Sequence, residues 1–203
     1  MDRKTLPIAT LCVALMLPLA GSKAAPKPTT VIEDPAGDAN ALNDQGNGDG
    51  SNGDVVGPAD ASSVTDLLKI DISNDAKNLY ITFLTETAPP ATQGVGFRLR
   101  ANPDGAGGSY CLNFEAFYPG AGNALDAAVG QLRDTCTGET TEVEVLGPML
   151  VVPRAASDAL GKKSVLTGLQ AHAFIYLGSA PPAGTTYPVT DTTKVGKDYK
   201  LKK

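Results

Sequence analysis

Apolar and polar positions alternate with a period of two along most of the chain after Asp66, the spacing of strands that bury one face. Asn78–Thr85 puts Leu79, Ile81 and Phe83 on one side, and Val95, Phe97 and Leu99 alternate with Gly96, Arg98 and Arg100. Residues 165–177 set Leu169, Ala171, Ala173, Ile175 and Leu177 inward against Gln170, His172, Phe174 and Tyr176. The same pattern, with β-branched residues, predicts strands at Thr29–Glu33, 67–73, 109–118, 127–135, 141–145, Met149–Pro153 and 198–202. Turn chemistry separates them at Asn74-Asp75-Ala76-Lys77, Pro89-Pro90, Asn102-Pro103-Asp104-Gly105, Gly147-Pro148 and Pro181-Pro182-Ala183-Gly184. One helical turn is expected at 155–160 and no long helix anywhere. About eight to ten short strands with this punctuation predict an all-β fold, an antiparallel β-sandwich of jelly-roll-like type.

Residues 39–63 break the rhythm. ALNDQGNGDGSNGDVVGPADASS has almost no hydrophobic period and reads as a polar Gly/Asn/Asp-rich loop inside a single domain spanning 31–203. Its Asn43, Gln45, Asn47, Gly48 and Asp54 imitate an EF-hand loop, but the leading residue types are wrong and flanking helices are missing. GNGDGSNGD is one nonapeptide, and one copy does not make a repeat. Carboxylates at Asp34, Asp38, Asp66 and Asp71 flank this stretch, which is too poor in apolar residues to be ordered by burial. Oxygen-rich side chains beside glycine turns are the ligand supply of a hard cation, and Ca²⁺ is the expected one.

The first residues change the setting. MDRKTLPIATLCVALMLPLAGSKAA has a basic start, an apolar run from Leu6 to Ala20 and a small-x-small site at Ser22-Lys23-Ala24, the order of a secretory signal peptide over 1–24. Cys12 lies within the apolar run without small residues before it, which argues against a lipoprotein. The run is also short of the roughly 20 residues of a spanning helix. The expectation is a secreted, extracellular protein with a short tail over 25–30 and no membrane span once the signal is removed. Cleavage removes Asp2, Arg3, Lys4 and Lys23, so 22 acids and 17 bases become 21 and 14, a net charge of −7. Such a balance argues against nucleic acid and anionic lipid as partners. Two cysteines remain, Cys111 and Cys136, and in an exported chain they are expected to pair. Strict pairing of the flanking strands through them sets Glu115 opposite Leu132, so a bulge is expected in that register.

The order of motifs resembles a known group. Asp34-Pro35-Ala36-Gly37-Asp38, then Asp66-Leu67-Leu68-Lys69-Ile70-Asp71, then Leu79-Tyr80-Ile81-Thr82-Phe83 follow one another as in the calcium-binding β-sandwiches of the family 9 carbohydrate-binding type. They also resemble the DOMON-like and glucodextranase C-terminal-like domains of secreted bacterial proteins. Val151-Val152-Pro153-Arg154, Leu160-Gly161, Leu169-Gln170-Ala171 and Asp191-Thr192-Thr193 before Tyr199 resemble the later strands of that group. The resemblance implies a structural Ca²⁺ held by Asp34, Asp38 and Asp66, with Asn40 or backbone carbonyls completing the shell. The alternative is that these acids are solvated turn and cap residues.

Several functions compete on the remaining residues. A carbohydrate module would use Tyr176, Phe174 and His172 with Arg98, Arg100, Asn113 and Glu115 as polar partners, although the chain has no Trp. A non-catalytic cell-surface interaction domain fits the scarcity of catalytic motifs, so polysaccharide or a cell-surface protein is the expected partner. Some DOMON-like relatives hold haem between Met and His, which here leaves Met149 and His172. Ser157, Asp158 and His172 do not form a recognisable triad pattern, and no GxSxG occurs, so an enzyme is not expected.

Overall fold

The computed structural model describes residues 26–39, 42–44, 53–55, 65–87, 94–103, 110–120, 127–161, 164–176 and 189–202. For 42–44, 53–55 and 176 it describes the backbone alone, and the predicted signal peptide lies outside the described residues. The strands are β1 Thr29–Glu33, β2 Leu42–Asp44, β3 Gly53–Val55, β4 Leu67–Asn74, β5 Asn78–Thr85, β6 Gly94–Pro103 and β7 Leu112–Tyr118. They continue with β8 Val129–Asp134, β9 Glu139–Leu146, β10 Met149–Pro153, β11 Val165–Tyr176, β12 Val189–Thr192 and β13 Tyr199–Lys200. Two 3₁₀ turns, Arg154–Ala156 and Asp158–Leu160, occupy the stretch where one helical turn was expected.

One antiparallel sheet runs in the order β1-β4-β5-β10-β9-β8-β7-β6-β11-β12, with β13 also paired to β11. It curls into two layers. Phe83 of β5 and Phe97 of β6, five strand steps apart along the sheet, stack with ring centroids 5.5 Å apart. Strand β9 pairs with both β8 and β10 and so joins the layers. After β5 the chain changes layer, and the meander β6 to β10 returns to pair β10 with β5. The alternating residues of both layers meet in one core, including Ile70, Ile81, Leu99, Phe114, Leu132, Leu150 and Ala171, all at most 1% exposed. Contact between these inner faces is the main stabilising term of the sandwich.

Register follows the hydrophobic pattern with local exceptions. In β11 a shift lies between Thr167 and Gln170, where Gly168 has φ +61°, a conformation costly for any residue with a Cβ. That bulge lets Leu166 and Leu169 both face the core. The bulge expected between β7 and β8 is not found: Phe114 pairs with Leu132 and Glu115 with Gln131 without interruption. The cysteines lie outside that ladder, Cys136 in the turn after β8, and this turn absorbs the extra residue. The Cys111–Cys136 disulfide spans 5.1 Å between Cα atoms.

Two elements were not expected. Within 39–63, read as a polar loop, β2 and β3 form a small antiparallel ribbon with Leu42 opposite Val55. Strand β12 lies in what reads as a connector and pairs with β11. Beyond it, residues 193–197 draw the two ends of the sheet together. The Gly196 N–H donates to Leu169 O of β11 (2.7 Å) and the Lys197 N–H to Val31 O of β1 (2.8 Å). A Cβ on Gly196 would stand 2.4 Å from Val31 O, so only glycine fits this seam.

Candidate metal centre

At the seam, three parts of the chain bring carboxylates to one point. Asp34 follows β1, anchored where its N–H donates to Leu68 O (3.0 Å). Pro35 stops the strand and Ala36-Gly37 turns it, Gly37 taking φ +82°, which returns Asp38 beside Asp34. Asp191 arrives on β12. Ligand oxygens of Asp34, Asp38 and Asp191 all lie within 4.8 Å of one another. Asp66, just before β4, turns one oxygen to the Gly37 N–H (2.7 Å).

Backbone amides aim these side chains. Asp34 accepts from the Lys194 N–H, Asp66 from Gly37 and Asp191 from the Leu67 N–H (2.7 Å). The opposite oxygens of two of them, Asp34 Oδ2 and Asp66 Oδ1, are buried with no hydrogen-bond partner. Burying an ionised oxygen unpaired is strongly unfavourable, and like charges nearby add to the cost. The titration behaviour agrees: burial pushes the Asp191 carboxyl up to about 7, with the charges of Asp34, Asp38 and Asp66 acting in the same direction. Asp34 is also raised, by burial first and then by Asp38, against the lowering effect of the Lys194 amide. Lys194 is the cation that acts on Asp34, and it is exposed.

No family model, characterised protein or solved structure matches this chain.

Of the predicted ligands, Asp34 and Asp38 converge, Asp66 stands next to them through Gly37, and Asn40 lies outside the described residues. Asp71 is elsewhere, accepting from Thr30 Oγ1 (2.7 Å) and paired with Lys69 (3.0 Å). Asp191 was missed as a ligand. Its one signal was a lone acid inside Val-Thr-Asp-Thr, a β-rich run in which a carboxylate buried to 5% exposure needs a partner.

The predicted sugar-contacting residues share the outer face of the second layer, where directly paired residues point the same way. One cross-strand row reads Gln170, Arg100, Asn113, Arg133, Thr140 and the next His172, Arg98, Glu115, Gln131, Glu142. A third begins Phe174, Gly96, Phe117, Val129. Glu115, 1% exposed, accepts from Arg98 Nε and Gln131 Nε2, and Arg133 Nη2 lies 3.8 Å away. Phe174 is not an exposed platform: it is 1% exposed, packed edge-on to Phe117 with Arg98 over its ring at 5.5 Å. Gly96 makes room for that ring, since a Cβ there would lie 2.0 Å from it. His172 Nδ1 pairs with Thr192 Oγ1 (3.1 Å) while its buried Nε2 has no partner. The Tyr176 side chain lies outside the described residues.

Other combinations are not assembled. Ser157 Oγ donates to Asp134 Oδ2 (2.9 Å) and not to His172. Met149 on β10 and His172 on β11 both point away from the core, on opposite layers.

Proposed function

We propose that this is an exported, non-catalytic β-sandwich locked by one structural Ca²⁺, serving as an extracellular or cell-surface binding and interaction module. In this reading Asp34, Asp38 and Asp191 hold the ion and Asp66 adds its free oxygen. The observation that carries it is the pair of buried, partnerless oxygens, Asp34 Oδ2 and Asp66 Oδ1, beside two further carboxylates. An oxygen-only donor set suits Ca²⁺ or Mg²⁺ rather than a transition metal, and several converging carboxylates favour the larger ion, since Mg²⁺ is usually held by only one or two. A cation would convert mutual repulsion into attraction and tie β1, β4 and β12 at the seam. The likeness to calcium-binding sandwiches of secreted proteins, with the signal-like first 24 residues, supports the same setting.

The test is thermal unfolding in excess EGTA against excess CaCl₂. At a free concentration about a hundredfold above Kd, calcium contributes about 2.7 kcal/mol, which raises Tm by roughly 5–10 °C for a domain of this size. An unchanged Tm would remove the metal from the reading.

A further inference from the structure

In the row Gln170, Arg100, Asn113, Arg133, Thr140, the middle three residues hold donors that no acceptor among the described residues takes. Arg100 lies over the Tyr110 ring at 5.9 Å and finds no hydrogen-bond acceptor among the described residues. Arg133 has a buried Nε without a partner, and its one carboxylate contact among the described residues is the 3.8 Å approach to Glu115. Asn113 stands between them, 4% exposed, its amide without a hydrogen bond among the described residues. Glu115, the acid buried among these arginines, is already held by Arg98 and Gln131, and Glu142 lies at the rim opposite Gln131. Three guanidinium groups, those of Arg98, Arg100 and Arg133, cluster around the buried carboxylate of Glu115. Burial first and then Arg98 push the Arg100 guanidinium down, with Arg133 adding to the effect and Tyr110 and Glu115 opposing it.

We infer that Arg100, Asn113 and Arg133 form a subsite for the carboxylate of an acidic saccharide, a uronate being the simplest such ligand. This rests on reading the domain as a binding module. Arg100 and Arg133 are on strands two apart, a Cα spacing of about 10 Å, which leaves room for one carboxylate between two guanidinium forks with the Asn113 amide beneath it. Planar forks match a planar carboxylate in two-point contact. Thr140 at the end of the row and Glu142 beside it supply hydrogen-bond partners for hydroxyl groups. Phe117 and Phe174 are buried, so this face offers no ring from its third row on which a neutral sugar can stack, and recognition falls to charge.

The experiment is NMR titration of the calcium-saturated protein with galacturonate, galactose and sulfate, following the arginine Nε–Hε signals and the Asn113 and Arg133 amides. Galacturonate is expected to shift them, galactose to leave them unmoved and sulfate to bind more weakly. Arg100→Gln and Arg133→Gln are each expected to weaken galacturonate about tenfold or more, the loss of a charge-assisted contact. The inference is overturned by equal response to galactose, by sulfate binding as tightly as galacturonate, or by affinity that neither substitution changes. Silence up to about 50 mM galacturonate also overturns it. Each variant is checked for its calcium-dependent rise in Tm. In the native protein, a rise in Tm with calcium but no galacturonate binding sinks this inference alone, whereas absence of the rise sinks the metal reading.

Discussion

Asp191→Asn is the substitution that separates a metal ligand from a structural hydrogen-bond acceptor. Asparagine keeps an oxygen for the Leu67 N–H and removes the charge that Asp34, Asp38 and Asp66 oppose. A carboxyl that titrates near 7 in the fold and at 3.8 when free is costly to ionise at pH 8. The gross figure is about 4 kcal/mol, which solvent screening at the seam reduces to about 2 kcal/mol. In EGTA at pH 8 the variant is therefore expected to melt roughly 4–8 °C above the native protein. In calcium the order reverses, because the variant has lost a charged ligand and most of its calcium-dependent rise. Acidity bears on the same site. Protons favour the fold here, so the metal-free protein gains stability from this group as pH falls from about 7 towards 3.8. Calcium must displace that proton, so its stabilising increment is expected to shrink between pH 8 and pH 5.5. Scanning calorimetry with and without calcium at both pH values measures all of this. A variant that melts below the native protein in EGTA, or that keeps the full calcium rise, refutes the reasoning.

Two further predictions concern the frame. Arg154, 8% exposed, donates to four carbonyls, those of Leu160, Asp75, Lys202 and Gly161, and so binds the 3₁₀ region, the β4–β5 turn and the last residues to one guanidinium. Arg154→Lys cannot reach all four and is expected to cost about 2–4 kcal/mol in urea unfolding; a loss below about 1 kcal/mol would show the carbonyls to be satisfied without it. Burial, with Arg100 and Arg98, pushes the His172 imidazole down to about 3. The unfolded chain takes up a proton near 6.5 that the fold refuses, so stability is lost as pH falls from about 6.5 to 3, at up to about 1.4 kcal/mol per pH unit. In calcium-saturated protein His172→Gln is expected to flatten this acid limb, and an unchanged pH dependence of the urea midpoint would rule the histidine out.

The sandwich was legible because its strands are buried on one face and write that fact as alternation, as in Leu79, Ile81 and Phe83. Where side chains are selected for something other than burial, the pattern fails. The β2–β3 ribbon is built from Gly/Asn/Asp-rich sequence with no apolar period to read. Strand β12 escaped because Asp191 occupies a buried position where the alternation calls for an apolar residue. That is the usual consequence of building a charged site into a strand, and it hid the third member of the acidic cluster. The cysteine pair followed from the expectation of an exported chain, but the place of Cys136 in the turn after β8 did not, so a bulge was expected in a regular ladder. On the outer face the sequence identified Arg98, Arg100, Asn113 and Glu115 as neighbours. It did not show that Phe174 is covered, because a large ring resting on Gly96 depends on the partner strand.

The seam formed by Gly196 and Lys197 has a consequence for when the protein can fold. Strand β1 finds its closing bonds only with residues some 165 positions later, and Asn74 holds the Lys202 N–H across 128 positions. A chain emerging from its N-terminal end thus lacks the clasp until the stretch from Gly196 to Lys202 has been synthesised. Until then the early strands lack their closing partners, so this last step of folding is the most non-local one.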